Sequence, residues 1–189
     1  MIIEQDAQEA KNSFALSINS DLTDLRLGEA SVWSMGPFRE DMFKGTMTTE
    51  FKFRPGAAEV GVDHFLLSVE FRFRIIRDAK KNKAESGEAE SGEIVKIACR
   101  FDGTYGVRKD FQPTEEQIQA FHRGNAIFNC WPYFREYVQS TVGRLNYPPL
   151  TVPFLRLMPK PPAANSISAI KEAKPPKKRE AKRISAPKS

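Results

Sequence analysis

Two runs of alternating side chains, set either side of a polar stretch, constrain this chain more than any other feature. In the first, Phe65, Leu67, Val69, Phe71, Phe73 and Ile75 fall on one parity while Ser68, Glu70, Arg72 and Arg74 fall on the other. Successive side chains of a strand point to opposite faces, so this period describes a long strand with one apolar and one polar side. The second run sets Val95, Ile97, Cys99 and Phe101 against Lys96, Ala98, Arg100 and Asp102. Together the two predict an antiparallel hairpin half-buried on a core. The polar stretch between them, Asp78 to Glu93, holds Ala-Glu-Ser-Gly-Glu at 84–88 and the same five residues at 89–93. It reads as a flexible loop tip with a slipped duplication.

Two further strands are expected upstream. Met47, Thr49, Phe51 and Phe53 alternate with Thr48, Glu50, Lys52 and Arg54 until Pro55-Gly56 ends the run. Between Leu22 and Trp33 the apolar parity changes, from Leu25 and Leu27 to Ala30 and Val32. A bulge near Gly28 accounts for that switch. Beyond Pro113 the period becomes helical: Thr114 and Gln117 stand at capping-box spacing, with Ile118 and Phe121 on one face, and Gly124 weakens the helix. A second helix carries Phe134, Val138, Thr141, Val142 and Leu145 as a stripe, with Pro132 near its start.

The remaining chain is polar. Residues 1–15 are read as a flexible N-terminus, 16–158 as one domain, and 159–189 as a disordered tail rich in Pro and Lys that lacks the apolar area to offset its ordering entropy. Nine Lys and Arg against two Glu from Lys160 to Ser189 give that segment a charge of +7, which leaves −2 for the rest of a chain whose total is +5. Any nucleic-acid binding must therefore act through the tail, with Lys174, Lys177, Lys178, Arg179, Lys182 and Arg183 as the phosphate partners.

The chemistry of catalysis is hard to find. His64 and His122, the two histidines, have no ligand spacing around them, no Gly-rich loop precedes a helix, and no Ser sits in a nucleophile elbow. Cys99 and Cys130 lie in apolar surroundings and read as reduced, buried thiols of a cytoplasmic protein. No leader peptide and no run of spanning length is evident, so membrane insertion is not expected. The Phe face could in principle stack bases, but the helices would then have to cover Glu70, Arg72, Arg74, Lys96 and Arg100 at high desolvation cost. That face is expected to be core or an interface between copies.

One segment is distinctive. Trp131-Pro132-Tyr133-Phe134-Arg135-Glu136, then Gly143-Arg144-Leu145 and Tyr147-Pro148-Pro149-Leu150-Thr151-Val152, resembles the helix signature of the SecB chaperone family. Four strands followed by a long connection and this helix extend the resemblance from about Leu16 to Phe154. Its wording is closer to the SecB-like chaperones of toxin–antitoxin systems than to the general protein-export chaperone. The resemblance implies an α+β fold, with a four-stranded antiparallel sheet packed against a long helix, assembled as a homotetramer of two dimers. It implies binding of unfolded polypeptides without nucleotide, cofactor or metal, and no enzymatic step.

In such a family the clients lie along hydrophobic grooves lined by the second strand, here Thr46 to Arg54, and by loops around the helix. Phe51 and Phe53 are the first candidates for client contact, with Met47, Leu150 and Phe154 behind them. Arg135 and Glu136 read as a surface or interface charge pair that positions the helix. Two departures stand out. The family's second helix has no room before Pro159, and the polar face of the sheet is basic, which speaks against docking to the SecA motor.

Overall fold

The computed structural model describes residues 1–39, 46–77 and 92–160. The expected loop tip falls outside these residues except for Gly92 and Glu93, and so does the expected tail beyond Lys160. Four long strands form an antiparallel sheet: β2 (Ser20–Ser34), β3 (Met47–Val60), β4 (His64–Arg77) and β5 (Gly92–Val107), in the order β2-β5-β4-β3. The two strands with the strongest alternation, β4 and β5, occupy the centre. Phe71 pairs with Cys99 and Phe73 with Ile97. All six apolar side chains of β4 named above are buried, as are Val95, Ile97, Cys99 and Phe101 of β5. At about 1.5 to 3 kcal/mol for each large apolar side chain removed from water, this is the main favourable contribution to the fold.

The bulge lies where the parity change placed it. The β2–β5 register slips between Leu27 and Glu29, so Leu27 faces Phe101 and, past the slip, Ala30 faces Cys99 on the same side. Gly28 sits in the slip because a Cβ there would come within 2.1 Å of Asp102 Oδ2. That carboxylate is already fixed, accepting from Ser68 Oγ at 2.7 Å and from Arg100 Nε at 3.0 Å.

The apolar face is covered by a single helical run. It starts at α2 (Glu115–Phe121), capped by reciprocal bonds between Thr114 and Gln117, passes through a π segment (His122–Ala126) and continues as α3 (Ile127–Arg144). The expectation was a first helix weakened by Gly124 and then a second helix; the structure joins the two in one run. Gly124 is buried in the π turn and makes room for the Gln5 amide, which a Cβ would approach to 2.2 Å. Pro132 also lies inside α3 and not at its start. Its absent N–H is carried on the exposed side of the helix, between Phe128 and Tyr133. Phe134, Val138 and Val142 form the buried stripe.

The N-terminus differs most from expectation. Residues 1–15 are ordered into β1 (Ile2–Gln5) and most of α1 (Ala7–Ser17), and β1 pairs in parallel with β6 (Arg156–Pro159). Ile3, Gln5, Ser13 and Leu16 are buried; with only two of these apolar, no stripe showed in the sequence. Arg123 reaches Glu9 at 2.9 Å and Ser13 Oγ reaches Asn125 at 3.3 Å, tying α1 to the π segment.

The π segment also turns His122 toward the sheet. The β3–β4 register slips between Pro55 and Ala58, opposite Ser68, and Nε2 of the buried His122 donates to the Ser68 carbonyl at 2.6 Å. Burial pushes the imidazole pKa down, since the charged ring has lost its water. The folded state therefore binds this proton less readily than the unfolded chain. The stability that the neutral ring supports is complete above about pH 6.5 and is lost as pH falls toward the lower folded-state value. Urea midpoints measured across that window should decline with acid in the wild type and flatten in His122→Phe, which should cost about 1 to 3 kcal/mol at neutral pH for the unpaired carbonyl. A second expectation concerns the bulge: Gly28→Ala should lower stability by about 1 to 3 kcal/mol through displacement of Asp102, and the loss should shrink in an Asp102→Ala background.

Candidate binding surface

Strand β3 is an edge of the sheet, so its outer backbone groups have no strand partner among the described residues. Phe51 and Phe53 project from it onto the apolar face and are half-buried. Phe51 lies 5.2 Å from Phe73 and Phe53 6.4 Å from Phe71, centroid to centroid, across the strand pair. Both stand T-shaped to the Trp131 ring, with centroids 6.3 Å away. Trp131 itself is buried, packed on Phe71 and Phe134. Edge-on approach of this kind is the favoured arrangement for aromatic rings.

Trp131 also begins a second feature. Its Nε1 donates to the Pro153 carbonyl at 3.0 Å, Arg135 Nε to Val152 at 3.1 Å, and Gln139 Nε2 to Leu150 at 3.3 Å. These three side chains are spaced four apart on α3 and form one row along the helix. They hold residues 150–155 as a strap laid along the helix. Val152 and Leu155 turn inward and are buried, Leu150 is half-buried, and Phe154 is 72% exposed. The Arg135 guanidinium lies 4.4 Å from the Phe154 ring centre, a cation–π contact that props up an otherwise solvated aromatic.

Of the five candidate residues, Met47, Phe51, Phe53 and Leu150 are partly buried against the core and Phe154 stands clear of it. Trp131 connects them, with its ring against Phe51 and Phe53 and its N–H on the strap. The sequence reading passed over Trp131 and Gln139 as positioning residues. It also paired Arg135 with Glu136, whereas no ion pair joins them among the described residues and Arg135 serves the strap instead. Adjacent residues point about 100° apart on a helix, and that geometry was the available signal.

Other chemistry is sparse on this side. Burial pushes the thiols of Cys99 and Cys130 up to about 12, so both stay protonated at neutral pH. No group of three potential metal ligands occurs among the described residues. No helix among them is long and apolar enough to cross a membrane.

No protein-family profile matches the chain. It is 32% identical over 127 residues to the SecB-like chaperone MT2006 of Mycobacterium tuberculosis strain CDC 1551, covering 62% of this chain and 70% of that protein. To the SecB-like chaperone Rv1957 of strain H37Rv it is 31% identical over the same length and coverage. The solved structure of Rv1957 in complex with a ChAD peptide from the Rv1956 HigA1 antitoxin superimposes with a TM-score of 0.62 at 22% identity, covering 77% of this chain and 96% of that one.

The strap geometry is open to a direct test. Arg135→Ala should release Val152 and Phe154 together, at a cost of about 1 to 2 kcal/mol locally. Hydrogen exchange should then quicken at the amides of residues 151 to 155 while those of β4 and β5 keep their protection.

Proposed function

This chain belongs to the SecB-like chaperone family, and on that footing we propose that it holds unfolded or nascent polypeptides without ATP, using the ledge of Phe51, Phe53 and Met47 and the strap carrying Leu150 and Phe154. The observation that supports this most is the exposed Phe154 ring, raised on Arg135 at the tip of the strap. An apolar client side chain gains about 25 cal/mol for each Å² it buries there, without regard to direction, so many sequences can bind. The edge of β3, which pairs with no second strand among the described residues, adds main-chain hydrogen bonds to an extended client.

The function proposed is binding, with no enzymatic step, cofactor or metal. The antitoxin peptide bound by Rv1957 favours a dedicated client of that type over general export substrates. We place the protein in the cytoplasm as a homotetramer built from two dimers. Leu27 and Val32 on β2, the other sheet edge, are 43% and 42% exposed and are suited to contact between copies.

Light scattering from an unfolded, aggregating protein tests the proposal. Suppression is expected with and without added ATP, and Phe154→Asp should weaken it by about tenfold while leaving the unfolding midpoint unchanged. Suppression that requires ATP, or that survives Phe154→Asp and Phe51→Asp alike in folded protein, would refute the assignment.

A further inference from the structure

The polar face of the sheet, opposite the helix, is an array of charges in register. One row across the strands reads Glu29, Arg100, Glu70, Arg54, and another reads Trp33, Lys96, Arg74, Glu50. Within these rows most cations are matched. Arg54 meets Glu70 at 2.6 Å, Arg74 is held between Glu50 and Glu93, and Arg100 lies on Asp102. The row between them is different: Ser31, Ala98, Arg72, Lys52. Two short side chains there leave a trough of about 430 Å³, and Arg72 projects beside it with its side chain exposed.

Arg54 and Arg100 also line the trough and are paired, whereas Arg72 within it and Lys96 in the neighbouring row are left over. Arg72 and Lys96 make no ion pair among the described residues. Lys52 reaches only Glu50, at 3.6 Å, and that carboxylate already accepts from two nitrogens of Arg74. At the sheet edge Trp33 is 49% exposed on the same face. A half-exposed indole next to unmatched cations has the composition of a binding hot spot.

We propose that this trough docks an acidic polypeptide segment of a partner protein, with a carboxylate seated on Arg72 over Ala98 and an apolar side chain laid against Trp33. The rows of Glu on either side decide between classes of anion. Glu29 and Glu70 line the trough beside Arg72 and Lys52, so a peptide can set single carboxylates on the isolated cations, whereas the evenly charged backbone of a nucleic acid would also meet those acidic groups. The site lies on the face of the sheet opposite Phe51, Phe53 and the strap, so partner and client can be carried at once.

The chain's two tryptophans supply the readout. Trp131 is buried and Trp33 is not, so acrylamide reaches chiefly Trp33. A short peptide with single glutamates spaced by neutral residues around one leucine should shield Trp33 from quenching in the full-length protein, with binding that weakens as salt is raised. Arg72→Glu should weaken that binding by about tenfold or more, and Ala98→Glu should do the same by supplying an internal carboxylate. Both variants should still suppress client aggregation. The proposal is overturned if the peptide binds without shielding Trp33 or fails to bind, or if Arg72→Glu binds equally well through the basic tail. Equal shielding by oligothymidylate would make the face a nucleic-acid site, and a Trp33 already inaccessible in the free protein would mean another copy covers it.

Discussion

The stack of Phe71 on Phe134, with centroids 4.6 Å apart and rings 16° from parallel, joins the centre of the sheet to the helix, and the rest of the arrangement is referred to it. A strand with six large apolar side chains on one side has to cover them, and one helical run is enough to cover two central strands but not four. The consequence is asymmetric burial. β4 and β5 are dry on their inner face, while Phe51 and Phe53 on β3 and Leu27 and Val32 on β2 are left part-covered. An incompletely roofed sheet exposes apolar edges by construction, and the half-covered rings of β3 follow from that shortage.

The preference for Phe in this chain, 14 against 4 Tyr, fits the same geometry. A ring packed between sheet and helix has no place for a hydroxyl unless a donor or acceptor is nearby. Tyr105 shows the exception: it stacks on Phe65 at 5.0 Å, its hydroxyl meets Asn129 Nδ2 at 3.4 Å, and burial pushes the phenol's pKa upward. The opposite face obeys the reverse rule. Its side chains remain in water, and there the charges could be matched one by one, leaving Arg72 and Lys96 over.

The parts legible in the sequence are those that local geometry writes directly. The β4–β5 hairpin is a period, the bulge at Gly28 is a change of parity, and the Thr114–Gln117 cap is a spacing. Where the sequence reading missed, the cause was contact between distant segments. β1 and β6 pair across about 150 residues and are four residues each, too short to show a period. Gly124 reads in the sequence only as a weak point of the helix because its purpose, making room for Gln5, is set more than a hundred residues away. The strap shows the same division: the row Trp131, Arg135, Gln139 is visible as a helical spacing, but the carbonyls it holds are not.

The parallel β1–β6 pair has a bearing on the order in which the molecule assembles. It joins segments about 150 residues apart, whereas the β4–β5 ladder is closed by one hairpin. Closing so wide a loop for four residue pairs costs chain entropy that little local contact returns, so the sheet and helix come together first and this pair last. During synthesis the strap that ends at β6 is among the final parts of the fold to be laid down. A nascent copy of the protein therefore passes through a stage in which its own Phe-rich edge is formed and its strap is not, with Trp131 and Arg135 still without the carbonyls they hold in the finished fold.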